Sequence, residues 1–187
     1  PQVFAAGQAL RPLFNSLAEG DGAEAYVLEA DNGLDVAISW KRRTTADLVS
    51  QAASVSRKRN IVRITAGRDL LSQSAEPEVR LGRAVVHPPS NAFLQPTREG
   101  EAVLQQRILA AIGKAKIVAD LFSGVGTFAL PAAERAKVHA VDSEARLLEA
   151  LAAAARTTPG LKPVATERRD LFKHPLDVRE LNRFEAV

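Results

Sequence analysis

The chain has 187 residues, 46% hydrophobic and 25% charged, with a formal net charge of +3, the composition of an ordinary globular protein. No apolar run approaches the roughly 18 residues of a membrane span, and no secretory signal pattern opens the chain, so a cytoplasmic setting with no membrane partner is expected. The absence of Cys excludes disulfides and thiolate metal sites within these residues, and no metal ligands are assigned.

Residues 1–22 read as a helix with apolar residues at Val3, Leu10, Leu13, Phe14 and Leu17, closed by Gly20-Asp21-Gly22. A hairpin follows. Tyr26, Leu28 and Ala30 alternate, Asp31-Asn32-Gly33 turns, and Leu34, Val36, Ile38 and Trp40 alternate on the return, a period-two pattern around an Asn-Gly turn. Residues 45–57 read as a helix with Leu48, Ala52 and Val55 on one side, and 60–65 as a strand. Short strands at 79–81 and 83–87 end at Pro88-Pro89. Residues 1–88 are thus expected to form a small α+β domain with antiparallel strands. Basic clusters at Lys41-Arg42-Arg43, at Arg57-Lys58-Arg59, and at Arg80 with Arg83 suit solvated faces and are compatible with a polyanionic partner.

From residue 89 the pattern changes. Thr97 can cap a helix with Glu99 and Glu101 in its first turn, favourable at the positive helix end; Val103, Leu104, Ile108, Ala111 and Ile112 are its expected buried stripe. Strand 116–121, helix 127–136, strand 137–141, helix 144–156 capped by Ser143, strand 163–167, helix 176–183 and an incipient strand at Glu185-Ala186-Val187 follow. Strands alternating with helices give a parallel, doubly wound sheet. The first strand of such a sheet is central, and its second edge must pair with strand four, which has only begun at Val187. An unpaired apolar edge is avoided in folded proteins. The sheet is expected to be partial, and the protein to continue past Val187. A first residue that is Pro and a chain without Met agree with a piece of a longer protein, or with modified Met residues left out.

Asp120-Leu121-Phe122-Ser123-Gly124-Val125-Gly126-Thr127 joins the first parallel strand to its helix, where ligands of open α/β sheets bind. Gly124-x-Gly126-x-x-Ala129 fits a dinucleotide fingerprint, with Asp142 at the end of the second strand. Three details favour S-adenosylmethionine over a dinucleotide. Asp120, just before the turn, would repel a pyrophosphate but can serve a cationic methionine end. Leu121-Phe122-Ser123 holds the glycines away from the strand. Asp142 can accept both ribose hydroxyls, and Asp170 after the third strand is placed to bond an adenine amino group.

Phe93-Leu94-Gln95-Pro96, the run from Asp120 to Pro131, and Val141-Asp142 together resemble the RNA 5-methyluridine methyltransferases, which methylate uracil carbon 5 in 23S ribosomal RNA or transfer RNA. The match covers about residues 85–187; residues 1–84 resemble the family's central RNA-facing domain only in outline. The resemblance implies a Rossmann-like class I methyltransferase domain beginning at residue 89, with S-adenosylmethionine as cofactor. It implies that Gln95 and Phe122 contact that cofactor, that Gly124 and Gly126 shape the turn, and that Asp142 holds the ribose. Thr127 stands where members often have Asn, and Asp170 takes the adenine side. Core packing is expected for Phe93 and Phe128. Members use a Cys nucleophile and a general base. Neither is found here, so both are expected beyond Val187, and these residues alone are expected to bind cofactor weakly and transfer no methyl group. His87, His139 and His174 are too scattered to replace them. Ribosomal RNA is the favoured substrate over transfer RNA. The rivals are an NAD-dependent oxidoreductase and an RNA-binding module with a vestigial cofactor fold.

Overall fold

A computed structural model describes residues 24–39 and 43–187. The helix expected at 1–22, together with Trp40, Lys41 and Arg42, lies outside the described residues. The chain divides into two units, 1–78 and 79–187, so the hairpin of residues 79–86 groups with the second.

In the first unit, β1 (Ala25–Ala30) and β2 (Gly33–Ile38) form the expected hairpin, with Ala30 paired to Gly33 around Asp31-Asn32. Its tip is pinned: Asn32 Nδ2 donates to the Glu76 carbonyl at 2.7 Å, and Asn32 Oδ1 accepts from the Glu78 amide at 3.0 Å. Helix α1 (Ala46–Arg59) starts at Thr45, whose hydroxyl accepts from the Leu48 amide, and ends at Asn60 in the left-handed region. Arg57-Lys58-Arg59 occupies its last turn, where positive charge complements the helix dipole. Beyond it run β3 (Ile61–Ala66) and β4 (Asp69–Gln73).

The sheet order is β1-β2-β3-β4. Its outer pairs are antiparallel, but β2 and β3 are parallel, because α1 carries the chain back to the start of the sheet. The expected antiparallel strands are present in both outer pairs, while the parallel β2–β3 pair makes the sheet mixed; β4 escaped the sequence pattern. Leu34, Val36, Ile38, Leu48, Ala52, Ile61 and Ile64 form the core, joined by Val27 rather than Tyr26, which is exposed. Asp35 and Arg63, paired in register, make two hydrogen bonds of 2.8 and 2.6 Å.

The second unit opens with hairpin β5 (Val79–Leu81) and β6 (Ala84–Val86), then α2 (Arg98–Ile112), capped by the Thr97 hydroxyl accepting from the Gly100 amide at 3.0 Å. The expected stripe of α2 is corrected. No residue of this helix is fully buried, and Val103 and Leu104 are exposed; of the expected stripe Ile112 meets the core, joined by Leu109, which the pattern did not include.

A parallel sheet, β7 (Ile117–Leu121), β8 (Lys137–Asp142) and β9 (Val164–Arg168), follows in the order β7-β8-β9. On the other edge of β7, Ala186 forms a parallel bridge to Val118, with the Ala119 amide donating to the Ala186 carbonyl. Strand four thus starts where the doubly wound topology requires. Helix α3 (Ala129–Ala133) is shorter than expected, since 124–128 remain in the turn. Helix α4 (Ala145–Thr157) has Glu144 at its N-cap, with no side-chain cap from Ser143. Helix α5 (Val178–Leu181) begins at an Asp177–Glu180 capping box and is tied to β9 by Arg169, which donates to both Glu180 oxygens at 2.6 and 3.0 Å. On the same side, His139 bonds Glu167 at 2.7 Å and stacks on Phe184.

Val125, Leu130, Ala154, Leu81 and Val86 pack together, as do Ala129, Ala133, Val138, Ala140 and Leu151. Each fully buried Leu among them contributes roughly 1.5–3 kcal/mol. Among the described residues, no helix is long and apolar enough to cross a membrane.

Candidate functional site

The register of the parallel sheet builds the site. Val118 pairs with Val138 and Asp120 with Ala140. Strand side chains alternate faces, so Asp120 points to the same face as Val138, Ala140 and Asp142, the face covered by α3 and α4. Two carboxylates, separated by 21 intervening residues, come to lie at the carboxyl ends of adjacent strands.

Asp142 is buried and ties the turn to the sheet. Its Oδ2 accepts from the Gly124 amide and its Oδ1 from the Glu144 amide, each at 2.9 Å. A carboxylate has about four lone-pair positions. Each oxygen therefore keeps capacity for one more donor, which suits a vicinal diol.

Asp120 is placed differently. It accepts a hydrogen bond from the Ala129 amide, at the start of α3, while Oδ2 is sealed from solvent without a hydrogen-bond partner. The residue as a whole is part-buried, with Oδ2 on its inner side. Burial pushes its pKa up from 3.8 to about 6; the Ala129 amide works against the rise and the Asp142 charge adds to it. An orphaned carboxylate oxygen in such a position calls for a donor or a cation.

The two glycines do different work. Gly124 has φ +55°, and a Cβ built there would meet nothing within 4 Å. The backbone is open to close approach on that side. Gly126, at φ +93°, faces protein: a Cβ there would lie 2.9 Å from Leu151 and 3.1 Å from Leu130. Its hydrogen atom is a packing requirement. Thr127 is buried, and its carbonyl accepts from Gln105 Nε2 at 3.0 Å, a contact that ties α2 to the turn and that sequence spacing did not suggest. Ser123 is also buried, with an unpartnered hydroxyl.

Leu121 ends β7, as the expected strand 116–121 has it, so only Phe122 and Ser123 separate the strand from Gly124. Phe122 follows at φ +60°, half exposed, and its ring contacts Phe172, centroids 5.2 Å apart. Asp170 turns back on its own loop: Oδ1 accepts from the Phe172 and Lys173 amides at 3.1 and 3.3 Å, and Oδ2 pairs with Lys173 at 3.2 Å. Lys173 holds its carboxyl below the usual carboxylate range.

Asp120, Gly124 and Asp142 therefore converge directly, whereas Asp170 reaches this region through Phe172 and Phe122. Gln95 is half buried in the segment before α2. Phe93, expected in the core, is instead 75% exposed, because 91–96 is a loop without period or partner strand. Phe172 was not anticipated: an aromatic after a strand end gives no periodic signal.

Comparison with known proteins agrees with the resemblance carried by residues 85–187. The chain is 43% identical over 161 residues to an uncharacterized RNA methyltransferase of Rhizobium meliloti, covering 86% of this chain and 39% of that protein. It is 36% identical over 195 residues to one of Agrobacterium fabrum, covering all of this chain and 45% of that protein. The chain thus spans less than half the length of these curated relatives. No family model matches. In fold it is similar to the Pyrococcus abyssi tRNA (uracil-54, C5)-methyltransferase solved in complex with S-adenosyl-L-homocysteine. That match has a TM-score of 0.64 at 16% identity, over 87% of this chain and 45% of that one. The chain is homologous to RNA methyltransferases along essentially its whole length, and its parallel sheet has the Rossmann-like methyltransferase fold.

Proposed function

We propose that this homologue of bacterial RNA methyltransferases supplies the central and cofactor-binding portions of an enzyme that methylates uracil carbon 5 in RNA, 23S ribosomal RNA before transfer RNA, in the cytoplasm. Residues 89–187 are the start of its S-adenosylmethionine domain, and the preceding residues face RNA.

The observation that carries this reading is the pairing of an open-faced Gly124 with a sealed, partnerless Asp120 oxygen, both beside Asp142. A cationic, sulfonium-bearing nucleoside fits that set. Asp120 offers negative charge to its amino-acid end, Asp142 offers two spare acceptor positions to the ribose, and the Gly124 backbone lets it come close. Gln95, Phe122 and Asp170 border the same ligand, and Gly126 and Thr127 hold the turn from within. When bound, the cofactor supplies an electrophilic methyl group. A target base would leave its stack to reach it.

A dinucleotide fits less well. Its pyrophosphate would meet the paired carboxylates, and Gly126, the second fingerprint glycine, is filled against Leu151. Calorimetric titration of the chain separates the readings: S-adenosylhomocysteine is expected to bind and NADH not to. No binding of either favours the vestigial RNA-binding module. Mass-spectrometric detection of 5-methyluridine, after incubating the gene's full product with unmodified 23S and transfer RNA, tests the substrate. Another modified nucleoside would overturn the assignment.

A further inference from the structure

The acidic crevice occupies the carboxyl end of the parallel sheet, and the amino end is basic. Lys116 immediately precedes β7, Lys137 opens β8, and Lys162 stands just before β9. They are too far apart in sequence to read as a cluster, but backbone bonds set them side by side. The Lys137 amide donates to the Lys116 carbonyl at 2.8 Å, and the Val138 amide donates to the carbonyl of Pro163, next to Lys162, at 3.0 Å. Neighbouring strands are about 4.8 Å apart, so the three lysines leave one rim in short steps.

The helices bring their carboxyl ends to the same rim. Lys114 follows α2, Arg135 follows α3, and Arg156 lies in the last turn of α4. Arg83 joins them from the β5–β6 hairpin, its guanidinium lying against Gly160, where a built Cβ would be 3.1 Å from Nη1. All seven cations are exposed. Among the described residues none of their side chains has an ion-pair or hydrogen-bond partner, whereas Arg63, Arg169 and Lys173 are all paired. Two carboxylates stand at this rim, each turned to a backbone amide: Glu134 Oε1 accepts from Arg83 at 3.0 Å and Glu185 Oε2 from Lys116 at 2.9 Å. Cations at helix carboxyl ends offset the helix dipole, which explains part of the set. Each helix end carries only about half a negative charge, so helix ends and carboxylates together balance roughly half of the positive charge. The rest faces water.

We propose that this rim, centred on Lys116, Lys137 and Lys162, is a second contact surface for RNA, which grips the phosphate backbone away from the target nucleotide. The inference rests on the proposed RNA-methylating function and adds a surface to it. Positive charge without protein counterions is matched by a polyanion, which releases its own condensed counterions on contact. The carboxylates at the opposite end repel phosphate, so that end suits an extruded base better than a backbone. A strand of five or six residues separates the two ends by roughly 17–20 Å, within the span of a folded RNA that reaches both. Lysine is a point charge on a flexible stem and meets phosphates in many orientations. The grip is therefore independent of sequence: it positions the RNA and leaves base choice to the other end.

The test combines Lys116→Gln, Lys137→Gln and Lys162→Gln in the gene's full product and measures filter binding of an unmodified 23S ribosomal RNA transcript across a series of KCl concentrations. Each phosphate contact contributes about 0.7–0.9 to the slope of log affinity against log salt, so the triple variant should have a slope shallower by roughly 2–3 and an affinity roughly tenfold or more weaker near 0.1 M salt. Its S-adenosylhomocysteine affinity, by calorimetry, should equal the parent's. The matching variant with Lys116→Arg, Lys137→Arg and Lys162→Arg should bind RNA as the parent does, because charge is what the rim supplies. An unchanged slope and affinity in the Gln variant, with the parent binding RNA, overturns the rim and leaves the methylation reading standing. Equal losses in the Gln and Arg variants also overturn it, since they assign the lysines a structural role. Binding of poly-L-glutamate that needs the three lysines, alongside RNA binding that does not, overturns it in favour of an acidic protein partner. A parent that binds neither 23S nor transfer RNA transcripts near 0.1 M salt overturns both readings.

Discussion

Replacing Asp120 by Asn isolates the electrostatic strain in the site. Burial raises the pKa of this carboxyl from 3.8 to about 6, so the folded chain holds the proton more tightly than the unfolded chain does. Stability must then fall as pH rises from about 4 to about 6, and the full cost is present above that window. At about 1.4 kcal/mol per pH unit, ionised Asp120 costs the folded state roughly 3 kcal/mol at pH 7.5. Asn keeps the oxygen that accepts from the Ala129 amide and cannot ionise, but it buries an amide group without an acceptor, at roughly 1–3 kcal/mol. The variant is expected to be up to about 2 kcal/mol more stable than the parent at pH 7.5 and roughly 0.5–2.5 kcal/mol less stable at pH 4. Urea unfolding at the two pH values measures both. Far-UV circular dichroism is the suitable probe, because the single Trp, Trp40, lies outside residues 79–187. A parent-to-variant difference identical at both pH values would refute the buried, unbalanced charge. Extra stability should come at the expense of binding: the variant loses the anion opposed to the cofactor's cationic end, so S-adenosylhomocysteine titrations should show weaker affinity.

Asp142→Ala removes two charge-assisted hydrogen bonds to the Gly124 and Glu144 amides while relieving repulsion at Asp120; a net loss of about 2–4 kcal/mol is expected by the same unfolding assay. The glycines should separate in kind. Gly126→Ala forces a methyl group into Leu151 and should cost about 2–4 kcal/mol, whereas Gly124→Ala should cost only about 1–2 kcal/mol for its left-handed backbone but impair cofactor binding in calorimetry. In the first unit, Asp35→Ala removes two charge-assisted hydrogen bonds from the Arg63 guanidinium, whose side chain is only 12% exposed, and should lower stability by roughly 1.5–3 kcal/mol; a change under about 1 kcal/mol would show that the pair contributes little to the fold.

Much of this protein was determined by short-range pattern alone. The period-two run around Asn32-Gly33, the Thr97 cap, and the alternation of strand and helix after residue 89 all fold as read, because each depends on residues close together in sequence. Even the convergence of Asp120 and Asp142 was legible: parallel strands of known order place their carboxyl ends side by side. Tertiary structure decided what depends on distant partners. The parallel pairing of β2 and β3, the nearly bare face of α2, the exposure of Phe93 and the separate tasks of Gly124 and Gly126 are set by which surfaces happen to meet. So is the Phe122–Phe172 contact, made across an intervening strand by residues 50 positions apart. Local propensity carries no information about such a meeting, since the free energy that fixes it comes from burial and approach in three dimensions.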